Sequence, residues 1–224
     1  MLISSQAANL SGVRAALSRG HRTALMIRHA ERPPLSPDDA DFGRSMGLTS
    51  FGAATAFAAG EQLRGFHDTS FFASPMERCR LTACHFAAGM GVDRPLVQDA
   101  EQLGVNGFYY DDSSAVQKMM REQGYMAFML EYLRTGTAPF SRPVQDASAK
   151  LAQWLQRQTS TLLGVYVSHD IFVAAFLTGL KAAEFTAEKW VGFLHGAVLF
   201  QAPDNGWTCC PFVPEFNTGS SADQ

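Results

Sequence analysis

Cysteine is scarce in this chain, 4 in 224 residues, and no C-x-x-C pair or metal-ligand spacing is present. A disulfide framework and a structural zinc site are therefore excluded as organising principles. Cys79 and Cys84 fall on one predicted helix and Cys209-Cys210 in a strand-like stretch, so free, mostly buried thiols are expected. An excess of charge of one sign is also lacking. Lys and Arg number 18 against 21 Asp and Glu, a formal net of −3, which gives no electrostatic reason to expect nucleic acid or an acidic membrane as a partner. No apolar run reaches the ~18–20 residues that a bilayer span needs. Residues 1–20 lack the basic stretch and continuous apolar segment of a secretion signal, so a cytoplasmic location is expected. Internal repeats and separating linkers are missing too, and residues 1–224 are expected to form a single domain with one sizeable core. What is plentiful is apolar: 46% of residues, with 17 Phe, the composition of a well-packed globular enzyme.

Periodicity predicts strands alternating with helices. Leu10, Val13 and Leu17 recur at helical spacing, with Gly20 just past the helix end. Residues 23–27 form a continuous apolar run, expected as a fully buried strand. Pro33, Pro34 and Pro37 make 33–46 a loop, and an Ala-rich helix over 50–63 follows, capped by Thr49 or Ser50. A strand is expected at 70–73. Ser74-Pro75-Met76-Glu77 then reads as a helix start, with Ser as cap and Pro in the first turn of a helix over 75–88. Further strands are expected at 95–97, 162–167 and 191–201, and helices at 144–158 and from about 170 to Gly179. Residues 111–137, rich in Met and aromatics, depart from the alternation; they are expected either as core or as a helical lid insertion over the pocket. The tail from Asn217 is expected to fray. The predicted architecture is a three-layer α/β/α sandwich with a mostly parallel sheet, in which ligands bind outside the carboxyl ends of the strands.

Three charged clusters occupy that position: Arg28-His29-Ala30-Glu31-Arg32, Glu77-Arg78 at the start of the 75–88 helix, and Ser168-His169-Asp170. Several arginines around one small volume suit a phosphoryl dianion, because guanidinium forks match its oxygens. Cationic neighbours also depress a histidine pKa and keep an imidazole lone pair available for attack on phosphorus. A leaving alkoxide needs a proton from a carboxylic acid, for which Asp170 and Glu101 are the candidates. A metal held by His29, His169 and Asp170 is disfavoured by the adjacent arginines.

Arg28-His29-x-x-Arg32, Ser74-Pro75-x-x-Arg78-x-x-x-Thr82-Ala83 and Ser168-His169-Asp170, with the weaker Leu48-Thr49-x-x-Gly52, resemble the motifs of the histidine phosphatase, or phosphoglycerate mutase-like, superfamily. The resemblance implies a phosphatase acting on a small phosphorylated substrate, with His29 as the phosphorylated nucleophile. It implies Arg28, Arg78 and His169 as the phosphate pocket, Arg32 as a further contact, and no metal or organic cofactor. Arg-His-x-x-Arg-x-Pro with His-Asp looks like the acid phosphatase and phytase branch, whose Asp is the proton donor. The short branch takes its acid from a Glu after the second motif, where Glu101 stands. Asp170 is favoured of the two because it adjoins His169. A mutase or phosphotransferase of the same chemistry and a catalytically silent phospho-ligand-binding module are the alternative readings, and the oligomeric state is left open. Arg32 is expected to meet either substrate or Glu31 or Asp38.

Overall fold

The structure is a computed structural model, and it describes residues 1–35, 42–201 and 206–215. Asp38 and the tail from Asn217 lie outside them. In chain order the elements are β1 (Leu2–Ile3), α1 (Leu10–Ser18), β2 (Thr23–Arg28), α2 (Ser50–Glu61), β3 (Thr69–Ala73), α3 (Glu77–Met90), β4 (Val97–Asp99), α4 (Ser113–Gln123), α5 (Tyr125–Thr135), α6 (Val144–Gln158), β5 (Leu163–Ser168), α7 (Asp170–Gly179), β6 (Gly196–Gln201) and β7 (Trp207–Phe212), with a short 3-10 turn at Glu101–Leu103.

The seven strands form one sheet in the order β1-β7-β6-β2-β5-β3-β4. It is mixed but mostly parallel. The quartet β2-β5-β3-β4 is parallel throughout, whereas β6 runs antiparallel to both β2 and β7. The α/β architecture expected from the alternation of elements is the one observed. Side chains alternate across the sheet with period two. Leu25 and Ile27 of β2 join one buried cluster with Phe71, Val165 and Val167, while Ala24 and Met26 join a second with Phe72 and Tyr166. A strand buried on both faces must be apolar at every position, which is why 23–27 reads as an unbroken run.

One face of the sheet is covered by α1, α2 and α3, and the other by α4 to α7. On α6, Val144, Ala147, Leu151 and Leu155 recur at helical spacing and are buried. Helices α2 and α3 pack backbone to backbone: a Cβ at Gly89 would lie 2.0 Å from the Phe57 carbonyl oxygen. Residues 113–135 are two helices whose inner faces bury Val116, Met120, Phe128, Met129 and Tyr132. Met120, Phe128, Met129 and Tyr132 belong to the core, with Met119 and Tyr125 partly buried against it.

Two expectations are corrected. The strand placed over 191–201 begins only at Gly196, because a turn closed by the His195 N–H donating to the Gly192 carbonyl (3.2 Å), with Leu194 at φ 61°, interrupts extended backbone. The helix placed over 75–88 begins at Glu77, since Met76 is still extended at φ −104°, ψ 140°.

Candidate active site

Register decides the site. Within the parallel quartet, Arg28 of β2 lies level with Ser168 of β5, and Ala73 of β3 lies level with both Val167 of β5 and Asp99 of β4. The next residues along each strand are therefore His29, His169, Ser74 and the approach to Glu101, at one rim. The rings of His29 and His169 are 5.6 Å apart between centroids.

His29 is only 2% exposed. Its Nδ1 is 2.8 Å from the Ala30 carbonyl oxygen, which can only accept, so Nδ1 carries the proton and Nε2 keeps its lone pair. Burial, then His169 and the Arg78 and Arg28 guanidiniums, hold its pKa well below the ordinary value, so the ring is neutral. The backbone of the cluster is clamped: His29 N–H donates to the Ser168 carbonyl (2.9 Å), and Ala30 N–H donates to Thr82 Oγ1 (2.9 Å). Thr82 in turn donates to the Arg78 carbonyl (2.7 Å), so one hydroxyl staples the first motif to the second.

The Leu48-Thr49-x-x-Gly52 element has an equally local cause. Thr49 Oγ1 caps α2 by accepting from Gly52 N–H (2.9 Å) and reaches Glu31 Oε1 (2.8 Å). A Cβ on Gly52 would sit 2.1 Å from the Glu31 carbonyl oxygen. Only glycine lets the start of α2 close on the loop after β2. Glu31 is thus engaged by Thr49.

Arg78 is 5% exposed and donates through Nη1 to the Gly43 carbonyl (2.7 Å), while Nη2 stands 3.4 Å from His169 Nδ1. Since guanidinium only donates, His169 Nδ1 accepts and its Nε2–H donates to Ser74 Oγ (2.9 Å). That bond explains the late start of α3: Ser74 does not cap the helix but holds the His169 ring. Burial, then Arg78, push the His169 pKa down to about 3. Under the ring, the buried Cys79 thiol donates to the Ser168 carbonyl (3.6 Å); burial raises its pKa to about 12, so it stays protonated. All four cysteines are free, and three are buried.

Arg28 Nη1 donates to the Val191 carbonyl (2.6 Å), Nη2 stands 3.5 Å from Asp170 Oδ2, and the guanidinium lies 4.1 Å from the centre of the Phe193 ring. Arg32 is half-buried, its Nη1 donating to the Pro33 carbonyl (2.7 Å). Burial, then Arg78 and Arg28, depress its pKa, which shows that the three guanidiniums share one region. Each of the three retains a buried Nε–H with no partner among the described residues. Unpaired buried donors are costly, and three positive charges in one region favour an anion beside them.

Asp170 opens α7 and is more tightly held than its sequence suggests. Oδ1 accepts from the Tyr125 hydroxyl (2.8 Å) and the Ile171 N–H (3.0 Å), and Oδ2 accepts from Trp190 Nε1 (3.1 Å). Burial alone would raise its pKa, but Arg28 and the Tyr125 and Trp190 hydrogen bonds outweigh it, and the carboxyl sits below its usual range. Glu101, by contrast, is exposed at the first position of the 3-10 turn, with Oε2 accepting only from Asn106 Nδ2 (3.2 Å) among the described residues. The turn is docked on the rim by Ala100 N–H donating to the Ala73 carbonyl (2.8 Å) and by Ser168 Oγ donating to Leu103 (2.8 Å). No group of three or more His, Cys, Asp or Glu is placed to hold a metal among the described residues.

Set on this geometry, the family comparison is decisive: the sequence model of the histidine phosphatase superfamily (branch 1) matches residues 24–199. The chain belongs to the histidine phosphatase superfamily. The match is to branch 1, although the His-Asp pair at 169–170 resembles the acid phosphatase branch. Solved structures of similar fold include a mycobacterial glucosyl-3-phosphoglycerate phosphatase, at TM-score 0.57 and 16% identity, covering 87% of this chain and 100% of that one. A phosphoglycerate mutase from Bacillus anthracis gives TM-score 0.53 at 12% identity, covering 84% and 91%. A putative phosphohistidine phosphatase SixA from Agrobacterium tumefaciens gives 0.50 at 16%, covering 84% and 94%. At these identities the likeness is one of fold. A search of curated proteins gives no match.

Of the residues singled out in the sequence, the fold brings His29, His169, Arg28, Arg78, Arg32 and Asp170 into one cluster, with Glu101 on the adjoining rim. Sequence reasoning missed Ser74 as a ring holder and placed Tyr125 only within the stretch read as core or lid; Trp190 and Phe193 it missed altogether. Ser74 had a signal in the second motif, whereas Trp190 and Phe193 have neighbours that come from remote parts of the chain.

Proposed function

We propose that the protein is a phosphomonoesterase that needs no cofactor and works through a phosphohistidine at His29. The observation that carries this reading is the neutral, buried His29 ring, pinned by the Nδ1–H bond to Ala30 and acted on by the nearby Arg78 and Arg28 guanidiniums, which leaves Nε2 with its lone pair. The Nε2–P bond forms as the bond from phosphorus to the alcohol oxygen breaks in line, and the leaving oxygen takes a proton from a carboxylic acid. The resulting carboxylate then takes a proton from water, whose oxygen bonds phosphorus and releases His29. Arg28, Arg32 and Arg78 match the charge of the transferring group.

The environments of the two carboxylates favour a different division of labour from the one the sequence suggests. Three donors and Arg28 stabilise the ionised form of Asp170, a setting suited to fixing Arg28 rather than to giving up a proton. Glu101, exposed on the rim, is assigned as the proton donor. A rapid-quench experiment with a labelled aryl phosphate tests the nucleophile: about one equivalent of covalent label on the protein, and none on His29→Ala. A wild-type enzyme that turns over without ever becoming labelled overturns the reading.

A further inference from the structure

The turn at residues 190–195 has two sides. Towards the phosphate cluster, Trp190 Nε1 holds Asp170 Oδ2 and the Val191 carbonyl accepts from Arg28 Nη1. On their other side, Trp190, Val191 and His195 wall a cavity of about 900 Å³ that also borders α7 and the end of β7. His29, His169, Arg78 and Arg32 do not line it. Its volume is that of a small-molecule site.

The lining specifies a ligand chemistry. Val173, Leu177, Phe185 and Phe212 supply apolar walls, which call for an apolar body. The polar groups are few, and two of them are lysines. Lys181 and Lys189 both line the cavity, two of the only four lysines in the sequence, and neither has an ion-pair partner among the described residues. Among the described residues Glu184 is the one carboxylate there, so their lining is net positive. No arginine lines the cavity among the described residues, and the two lysine ammonium groups supply point charges that one carboxylate can pair with.

We propose that this cavity is a second binding site, for an amphipathic organic carboxylate, and that its occupant acts on the phosphate cluster through Trp190. An occupant touches the indole whose N–H holds Asp170, and Asp170 faces Arg28, so the two sites share a wall that either ligand can bias. Such coupling is reciprocal between the two affinities. The binding half stands apart from the catalytic reading; the coupling half rests on the phosphate cluster binding phosphate.

Calorimetric titration with 1-naphthylacetate tests both halves. Saturable one-to-one binding is expected for the wild type, for His29→Ala and in saturating inorganic phosphate. The Lys181→Ala/Lys189→Ala variant should bind at least fivefold more weakly while hydrolysing 4-nitrophenyl phosphate as the wild type does, and Ala183→Trp, which fills the cavity, should not bind while keeping the wild-type circular dichroism spectrum. Absence of saturable binding, an unweakened lysine variant, or displacement of the probe by phosphate overturns the site. For the coupling, the probe should shift the phosphate dissociation constant at least threefold, and Trp190→Phe should remove the shift. An unchanged phosphate affinity overturns the coupling alone. If phosphate does not bind at all, the coupling and the catalytic reading fall together, and probe binding still decides the cavity.

Discussion

A histidine buried among cations is expensive to protonate, and His29 and His169 both carry that penalty. Their folded-state pKa values lie below the unfolded value of 6.5, so below that pH the unfolded chain binds protons that the folded chain refuses. Stability is therefore fully present above about pH 6.5 and is lost as pH falls towards the folded value of about 3 for His169. Each such group contributes a slope of at most about 1.4 kcal/mol per pH unit. Urea denaturation between pH 7 and 5 should show this decline, and His169→Asn should flatten it. Asp170, also depressed, adds loss of the same sign only below its ordinary carboxyl range. The proposed mechanism gives the two carboxylates different roles. Glu101→Gln should spare aryl phosphates, whose leaving groups need no proton, and slow alkyl phosphates by about 10²–10⁴-fold. Asp170→Asn should slow both alike, because it loosens Arg28. The reverse pattern in steady-state kinetics would return the donor role to Asp170.

At the scale of elements, loops and helix starts are held by contacts with little tolerance. The closure of α2 on the loop after β2 leaves no room for a Cβ at Gly52, 2.1 Å from a backbone oxygen that cannot swing aside. Gly52→Ala should lower stability by about 1–3 kcal/mol, read by denaturant midpoint, and should impair activity further by shifting the Glu31–Arg32 loop. Helices α4 and α5 act as elements of the core, yet Tyr125 at the start of α5 reaches Asp170. Excising them would remove buried Phe128, Met129 and Tyr132 along with any role at the pocket.

At the scale of the molecule, the parallel quartet is a device for collecting strand ends. Three guanidiniums packed together repel one another. Inorganic phosphate should therefore stabilise the whole fold, by about 2.7 kcal/mol at a concentration 100 times its dissociation constant. Thermal melts with and without phosphate measure this, and Arg78→Ala should abolish the gain. The strand-and-helix alternation, the buried strand at 23–27 and the three motif clusters were legible because each is a local pattern repeated within a few residues. The antiparallel β6–β7 edge was less so, since nothing in a short apolar run states its direction.

The chain alone determined which residues could do chemistry and that they follow strands, because periodicity and charge are written along the backbone. Tertiary structure decided what holds them. Ser74 left its cap for His169, and Tyr125 and Trp190 fixed Asp170 as an ion, because hydrogen-bond partners 20 to 95 residues away are set by strand register and helix packing. A side chain's chemical role depends on the groups that surround it, and those neighbours exist only after the sheet has closed.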